Sequence, residues 1–176
     1  RTHNLQKAPF DRYVPPADFA TFDAWRDATQ RYQAEVVRHH VEALRKLKYR
    51  PTGGFAQFCF ADGHPAVTWS VLGHDRAPKA AHRALVEACR PVIVVCERPP
   101  AEVRPGERLS LEVHAVSDLH RAVPAARVAA TVRWTGGEET WGCQGDLAAE
   151  ACLRVGAVDL EVPDAPGQLT IDLELT

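Results

Sequence analysis

Ring side chains and hydrogen-bonding groups crowd into one short run of this chain, FCFADGHPAVTWSVLGHD, which carries Phe58, Asp62, His64, Trp69, His74 and Asp75. A carboxylate such as Asp62 accepts hydrogen bonds from hydroxyls, and the imidazole of His64 donates one or titrates near neutrality. The flat faces of Trp69 and Phe58 could cover an apolar face of a ligand. Groups of these types place and orient a substrate. Each has a structural alternative: Asp62 as the anchor of its own loop, Phe58 and Trp69 as core packing, His64 as loop structure beside a glycine and a proline. Trp69, His64, Asp62 and Phe58 are the candidate substrate-binding residues, and no residue is assigned a catalytic role.

Titratable residues elsewhere make a weaker case. Glu138 and Glu139 are neighbours on an expected strand, so their side chains point to opposite faces and cannot work as a pair. His39, His40, His74 and His82 lack metal-ligand spacing with a third donor, and the chain is expected to need no metal and no cofactor. Five cysteines form no CxxC pair. Cys59 and Cys89 read as small buried hydrophobes. Cys143 and Cys152 flank the loop QGDLAAEA, and either remain thiols or bridge in an oxidising compartment.

The elements that would position the loop follow from periodicity. Residues 1–21 hold Pro9, Pro15 and Pro16 without a sustained period and read as a loop. From about Phe22 to Lys48, apolar positions at Trp25, Ala28, Tyr32, Val36, Val37, Val41 and Leu44 recur at helical spacing against a charged face. The basic cluster Arg45, Lys46, Lys48 and Arg50 at its end complements the helix dipole. Pro51 and Gly53-Gly54 stop it. Phe55 to Phe60, almost without charge, reads as a fully buried strand of a parallel sheet. A second amphipathic helix is expected from about Pro78 to Cys89, ended by Pro91.

Beyond Pro91 the period becomes two. Residues 92–96, 109–118, 127–134, 138–143, 151–162 and 169–175 are strand-like, separated by turns at Pro99-Pro100, Pro105-Gly106, Gly136-Gly137 and Pro166-Gly167. Six short strands fit an immunoglobulin-like sandwich, which usually has at least seven, so a last strand is expected beyond the segment. The expected domains are residues 1–90 and 91–176.

A formal net charge of -2 over 176 residues gives no electrostatic case for nucleic acid or an anionic membrane. No apolar run is long enough for a signal-peptide core or a membrane span, so a soluble protein, cytoplasmic or secreted, is expected. With no methionine and an Arg at position 1, the chain reads as a piece of something longer.

From the long helix through Pro91-Val92 the sequence resembles the C-terminal end of the catalytic barrel in glycoside hydrolase family 2, nearest to its β-mannosidase-like members. The matching elements are Gly53-Gly54, Asp62, Pro65, Trp69-Ser70, Asp75, Lys79 and the helix leading to Pro91-Val92, within roughly residues 22 to 100. The sandwich that follows matches by position and architecture. At four places bordering the sugar site the pattern is broken: Phe58 stands for tryptophan, Cys59 for glutamine, Ala61 for asparagine and His64 for tryptophan.

The resemblance implies the terminal βα portion of a (β/α)8 barrel followed by an immunoglobulin-like sandwich, in a retaining enzyme that cleaves a β-linked sugar. Such an enzyme needs two carboxyls about 5 to 5.5 Å apart. In the family both are glutamates on earlier barrel strands, one of them after an asparagine, and no Asn-Glu pair occurs in this chain. The expected partners are therefore a carbohydrate and the preceding part of the same protein. The alternative is a non-catalytic carbohydrate-binding or structural module from a glycosidase whose site has degenerated.

Overall fold

A computed structural model describes residues 7–65 and 68–176. The chain divides into two compact units, one of Arg1–Leu44 with Thr52–Arg90, the other of Arg45–Pro51 with Pro91–Thr176.

In the first unit, a helix α1 (Lys7–Tyr13) and a 3-10 turn (Pro16–Asp18) replace the loop expected before residue 22. Pro9 lies in the first turn of α1, where backbone N–H groups have no intrahelical partner to lose. What holds this segment is tertiary contact with the long helix α2 (Phe22–Lys46). Phe10 packs against Trp25 with ring centroids 5.5 Å apart, Tyr13 stacks on Tyr32 at 5.4 Å, and the Trp25 indole donates to the Val14 carbonyl at 2.9 Å. Helix α2 is capped by the Thr21 hydroxyl, which accepts from the Ala24 N–H at 3.2 Å. Asp23 in its first turn and Arg45 and Lys46 in its last complement the dipole.

A third helix, α3 (Ala80–Ala88), buries Ala81, Leu85 and Ala88, which share one face at helical spacing. They close a small apolar core with Val41 of α2 and Val71 of the intervening loop. Between α2 and α3 the expected strand Phe55–Phe60 is absent. Among the described residues of the loop, isolated bridges join Ala61 with Leu72 and Leu72 with Pro78. Phe55, Phe58 and Phe60 are all exposed rather than buried. The reason is the lack of a neighbour: a parallel strand is defined by the strand it pairs with, and among the described residues none lies beside this one. One extended segment and its flanking helices close no barrel.

The second unit holds six antiparallel strands in two sheets. Strands β1 (Val92–Cys96), β2 (Arg108–Ser117) and β5 (Cys152–Glu161) make one in the order β1-β2-β5. Strands β3 (Val123–Trp134), β4 (Gly137–Leu147) and β6 (Thr170–Leu175) make the other in the order β4-β3-β6. Alternating side chains of both sheets meet in one core, with Leu109, Leu111 and Val113 from β2, Val128, Ala130 and Val132 from β3, and Val158 and Leu160 from β5. A two-residue hairpin, Thr135-Gly136, joins β3 to β4, and Gly136 at its second position takes the positive φ of 95° that a type II turn asks of that residue.

Strand β4 runs four residues past its expected end because Leu147 pairs with Val123 and is buried beside Ala115 and Ala126. Cys143 on β4 and Cys152 on β5 lie in different sheets. Cys143 packs against the main core and Cys152 against Ile93, Val95 and Val116, and both are free thiols rather than a bridge.

Candidate functional site

The loop between the Ala61 bridge and α3 is organised around one carboxylate. Asp62 is 6% exposed. Its carboxylate meets the Lys79 ammonium at 2.9 Å and accepts the Thr68 hydroxyl proton. Lys79 also donates to the Ser70 hydroxyl at 2.8 Å, and Ser70 passes its own proton to the Leu72 carbonyl at 2.9 Å. The Ser70 N–H in turn donates to the Thr68 hydroxyl at 3.0 Å. Burial alone would raise the Asp62 pKa, but the polar groups of Ser70, Thr68 and Lys79 and the Lys79 charge outweigh it and bring it to about 2.

The backbone of the loop is tied at both ends. The Asp62 N–H donates to the Leu72 carbonyl at 3.1 Å, and Arg76 reaches the Asp62 carbonyl at 3.1 Å. Lys79 N–H donates to Val71 at 2.9 Å. From α2, the Gln33 amide donates to the carbonyls of Trp69 at 3.0 Å and Ser70 at 3.2 Å, and Gln30 accepts from the Ala80 N–H at 3.3 Å. Asp75 closes a turn on the Ala77 N–H at 3.1 Å. Its carboxylate fills the space above Gly73, where an added Cβ would stand 2.6 Å from it.

Of the four candidate residues, two come together on the surface. Phe58 is 75% exposed and Trp69 55% exposed, and their rings lie 6.2 Å apart at an interplanar angle of 42°. Core packing is therefore not the role of Phe58, contrary to what its apolar surroundings in sequence imply. The reason is again the missing neighbouring strand, which leaves the face it would pack on open. His64 is exposed. Asp62 points away from solvent into the network around Lys79. A second pair of rings, Phe60 and His82, stands 6.2 Å apart in the same unit. The peptide bond between Phe58 and Cys59 is cis.

Thr68, Ser70, Lys79 and Gln33 carry the loop, and periodicity points to none of them as site residues. Ser70 and Lys79 belong to the resemblance pattern, so the signal lay in the spacing Asp62, Trp69-Ser70, Lys79. Glu138 pairs with Arg133 at 2.9 Å on β4, which accounts for its charge structurally. Among the described residues no three His, Cys, Asp or Glu side chains gather as a metal site, and no described helix is long and apolar enough to cross a membrane.

No protein-family model matches the sequence, and no curated protein matches it. Solved structures do. A β-D-mannosidase from Dictyoglomus thermophilum superposes with a TM-score of 0.72 at 19% identity, over 89% of this chain and 18% of its own. The exo-chitosanase of Amycolatopsis orientalis gives 0.66 at 16% identity over 89% of this chain and 18% of its own. Its complex with PNP-β-D-glucosamine gives 0.67 at 15% identity over 95% and 19%. At these identities the likeness is one of fold, and the fold is one found within glycosidases. The chain spans about a fifth of the length of those enzymes.

Proposed function

We propose that this chain is part of a glycoside hydrolase of family 2, β-mannosidase-like, contributing the closing βα portion of its (β/α)8 barrel and the immunoglobulin-like sandwich after it. The observation that supports this reading is the superposition of 89% of the chain on a β-D-mannosidase with a TM-score of 0.72. The exposed faces of Phe58 and Phe60 belong to a segment that lacks a strand partner among the described residues, and preceding barrel strands of the same protein would supply one.

In this reading the loop after Ala61 shapes the sugar site, with Trp69 and Phe58 as the platform and His64 as a hydroxyl partner. The substrate is a β-linked sugar. Asp62 cannot be the general acid, because a carboxyl with a pKa of about 2 is ionised at any working pH. It is also unsuited as nucleophile, since Lys79 and Thr68 occupy its oxygens. Catalysis is thus assigned to two glutamates in the preceding part of the protein.

The test is turnover of p-nitrophenyl β-D-mannoside and β-D-glucosaminide by the intact protein and by the 176-residue chain alone. The intact protein is expected to turn over at least one of them and the isolated chain neither. Turnover by the isolated chain, abolished by a point change within it, would overturn the assignment. An inert intact protein that still binds these sugars would establish the alternative, a carbohydrate-binding module, which the replaced residues Phe58, Cys59, Ala61 and His64 favour.

A further inference from the structure

An exposed tryptophan is usually free to move, because nothing packs around it. Trp69 is exposed and yet its backbone is held from three sides. The hydroxyls of Thr68 and Ser70, its two neighbours, turn inward to Asp62 and Lys79. At the bend between them the Trp69 indole stands outward, 55% exposed. From behind, Gln33 of α2 holds the Trp69 carbonyl at 3.0 Å. The acid at the centre, Asp62, and its partner Lys79 have side chains only 4% and 16% exposed, so little water competes for the pair.

We infer that Asp62, Lys79 and Gln33 are positioning residues that aim the Trp69 indole at the sugar, with Thr68 and Ser70 as the links between them. The inference rests on the proposed sugar platform and deepens it. A polar network spanning Asp62 to Lys79 would not be needed merely to close the connection, since the core of Val41, Val71, Ala81 and Leu85 already anchors α3 and the loop. What the network adds is direction: it determines on which side of the loop the indole stands. Loss of direction is expensive for a binding group, because a platform displaced by about 1 Å loses affinity on the order of tenfold or more.

The test uses the intact protein labelled with 5-fluorotryptophan, with the Trp69 fluorine resonance identified by its loss in Trp69→Phe, and methyl β-D-mannoside and methyl β-D-glucosaminide as probes. In Lys79→Met the Trp69 signal is expected to move toward the free-tryptophan position and narrow, while the other tryptophan signals stay in place. Sugar affinity is expected to fall by about tenfold. Lys79→Arg, which restores the charge and the hydrogen bonds, is expected to recover both. Gln33→Ala, which leaves the buried ion pair intact, should move the Trp69 signal in the same direction and serves if Lys79→Met does not fold. Trp69 and affinity both unmoved in folded Lys79→Met and Gln33→Ala would overturn the positioning role and leave the sugar site standing. A Trp69 signal released in both variants, in a protein that binds neither sugar, would retain the positioning role and refute the sugar site.

Discussion

Replacing Asp62 by asparagine keeps the shape of the side chain and removes its charge, so it removes what the ionised carboxylate gains from Ser70, Thr68 and Lys79. The carboxyl has an ordinary pKa of 3.8 and a pKa of about 2 in the folded loop. Its folded pKa is depressed, so it stabilises the loop fully above pH 3.8 and loses that stabilisation as the pH falls through 2. The difference of nearly two pKa values corresponds to roughly a 60-fold change in the opening equilibrium at pH 5 to 7. The same linkage leaves about a tenfold effect at pH 3 and about a twofold effect at pH 2. Native-state hydrogen exchange reads this locally, through the amides of Asp62, Leu72 and Lys79, which donate to Leu72, Phe60 and Val71. In Asp62→Asn these amides are expected to exchange about 60-fold faster than in the parent at pH 6, after correction for intrinsic rates, and about tenfold faster at pH 3. A factor that is the same at both pH values, or that is negligible at pH 6, would show that the Asp62 charge does not hold the loop.

Three further outcomes concern the sandwich. Burial first, and then the Lys46 charge, hold the His114 pKa below its ordinary 6.5, with Glu112 and Glu97 pulling the other way and Arg154 adding to the depression. The neutral ring therefore stabilises the fold above pH 6.5 and that contribution fades as the pH falls through the folded pKa, so the urea midpoint should decline between pH 7 and 5 less steeply in His114→Gln than in the parent. Burial and the neighbouring Glu97 charge push the Cys96 thiol up to about 11, so Cys96 should resist iodoacetamide at pH 8 until the protein unfolds; rapid native-state labelling would contradict its burial. Val132, fully buried between the sheets, should cost about 2 kcal/mol on truncation to alanine in denaturant titration, whereas Val86, 54% exposed on α3, should cost less than about 0.5 kcal/mol.

The helices α2 and α3 and all six strands were legible because each buries one face, and a buried face leaves a period in the sequence. Val92–Cys96 shows this well: five apolar residues between Pro91 and a charged turn have one reasonable conformation. The errors fall where conformation depends on a distant partner. Residues Lys7–Tyr13 form a helix through contacts of Phe10 and Tyr13 with α2, which no local pattern announces. Phe55–Phe60 has a buried strand's composition, but burial is decided by what lies beside it, and here the rings face outward. At the candidate site the aromatic residues could be picked by type. The tie between Asp62 and Lys79 could not, because an ion pair across a loop leaves no periodic trace, and a lone aspartate reads equally as sugar ligand or loop anchor. Whether Cys143 and Cys152 are bridged stayed open for a related reason: their separation in sequence says nothing of the different sheets that hold them.

The central claim, that the loop after Ala61 shapes a sugar site with Trp69 as its platform, is tested most directly by kcat/KM of Trp69→Ala in the intact protein on p-nitrophenyl β-D-mannoside and β-D-glucosaminide. Far-UV circular dichroism and loop-amide exchange would establish that the variant keeps its fold, and Glu139→Ala on β4, exposed and distant in sequence from the loop, serves as the control. The expected result is a kcat/KM lowered by about ten- to a hundredfold in Trp69→Ala, the loss of one contact worth about 1 to 3 kcal/mol, and unchanged in Glu139→Ala. A folded Trp69→Ala enzyme with full kcat/KM would contradict the claim and make the loop scaffold.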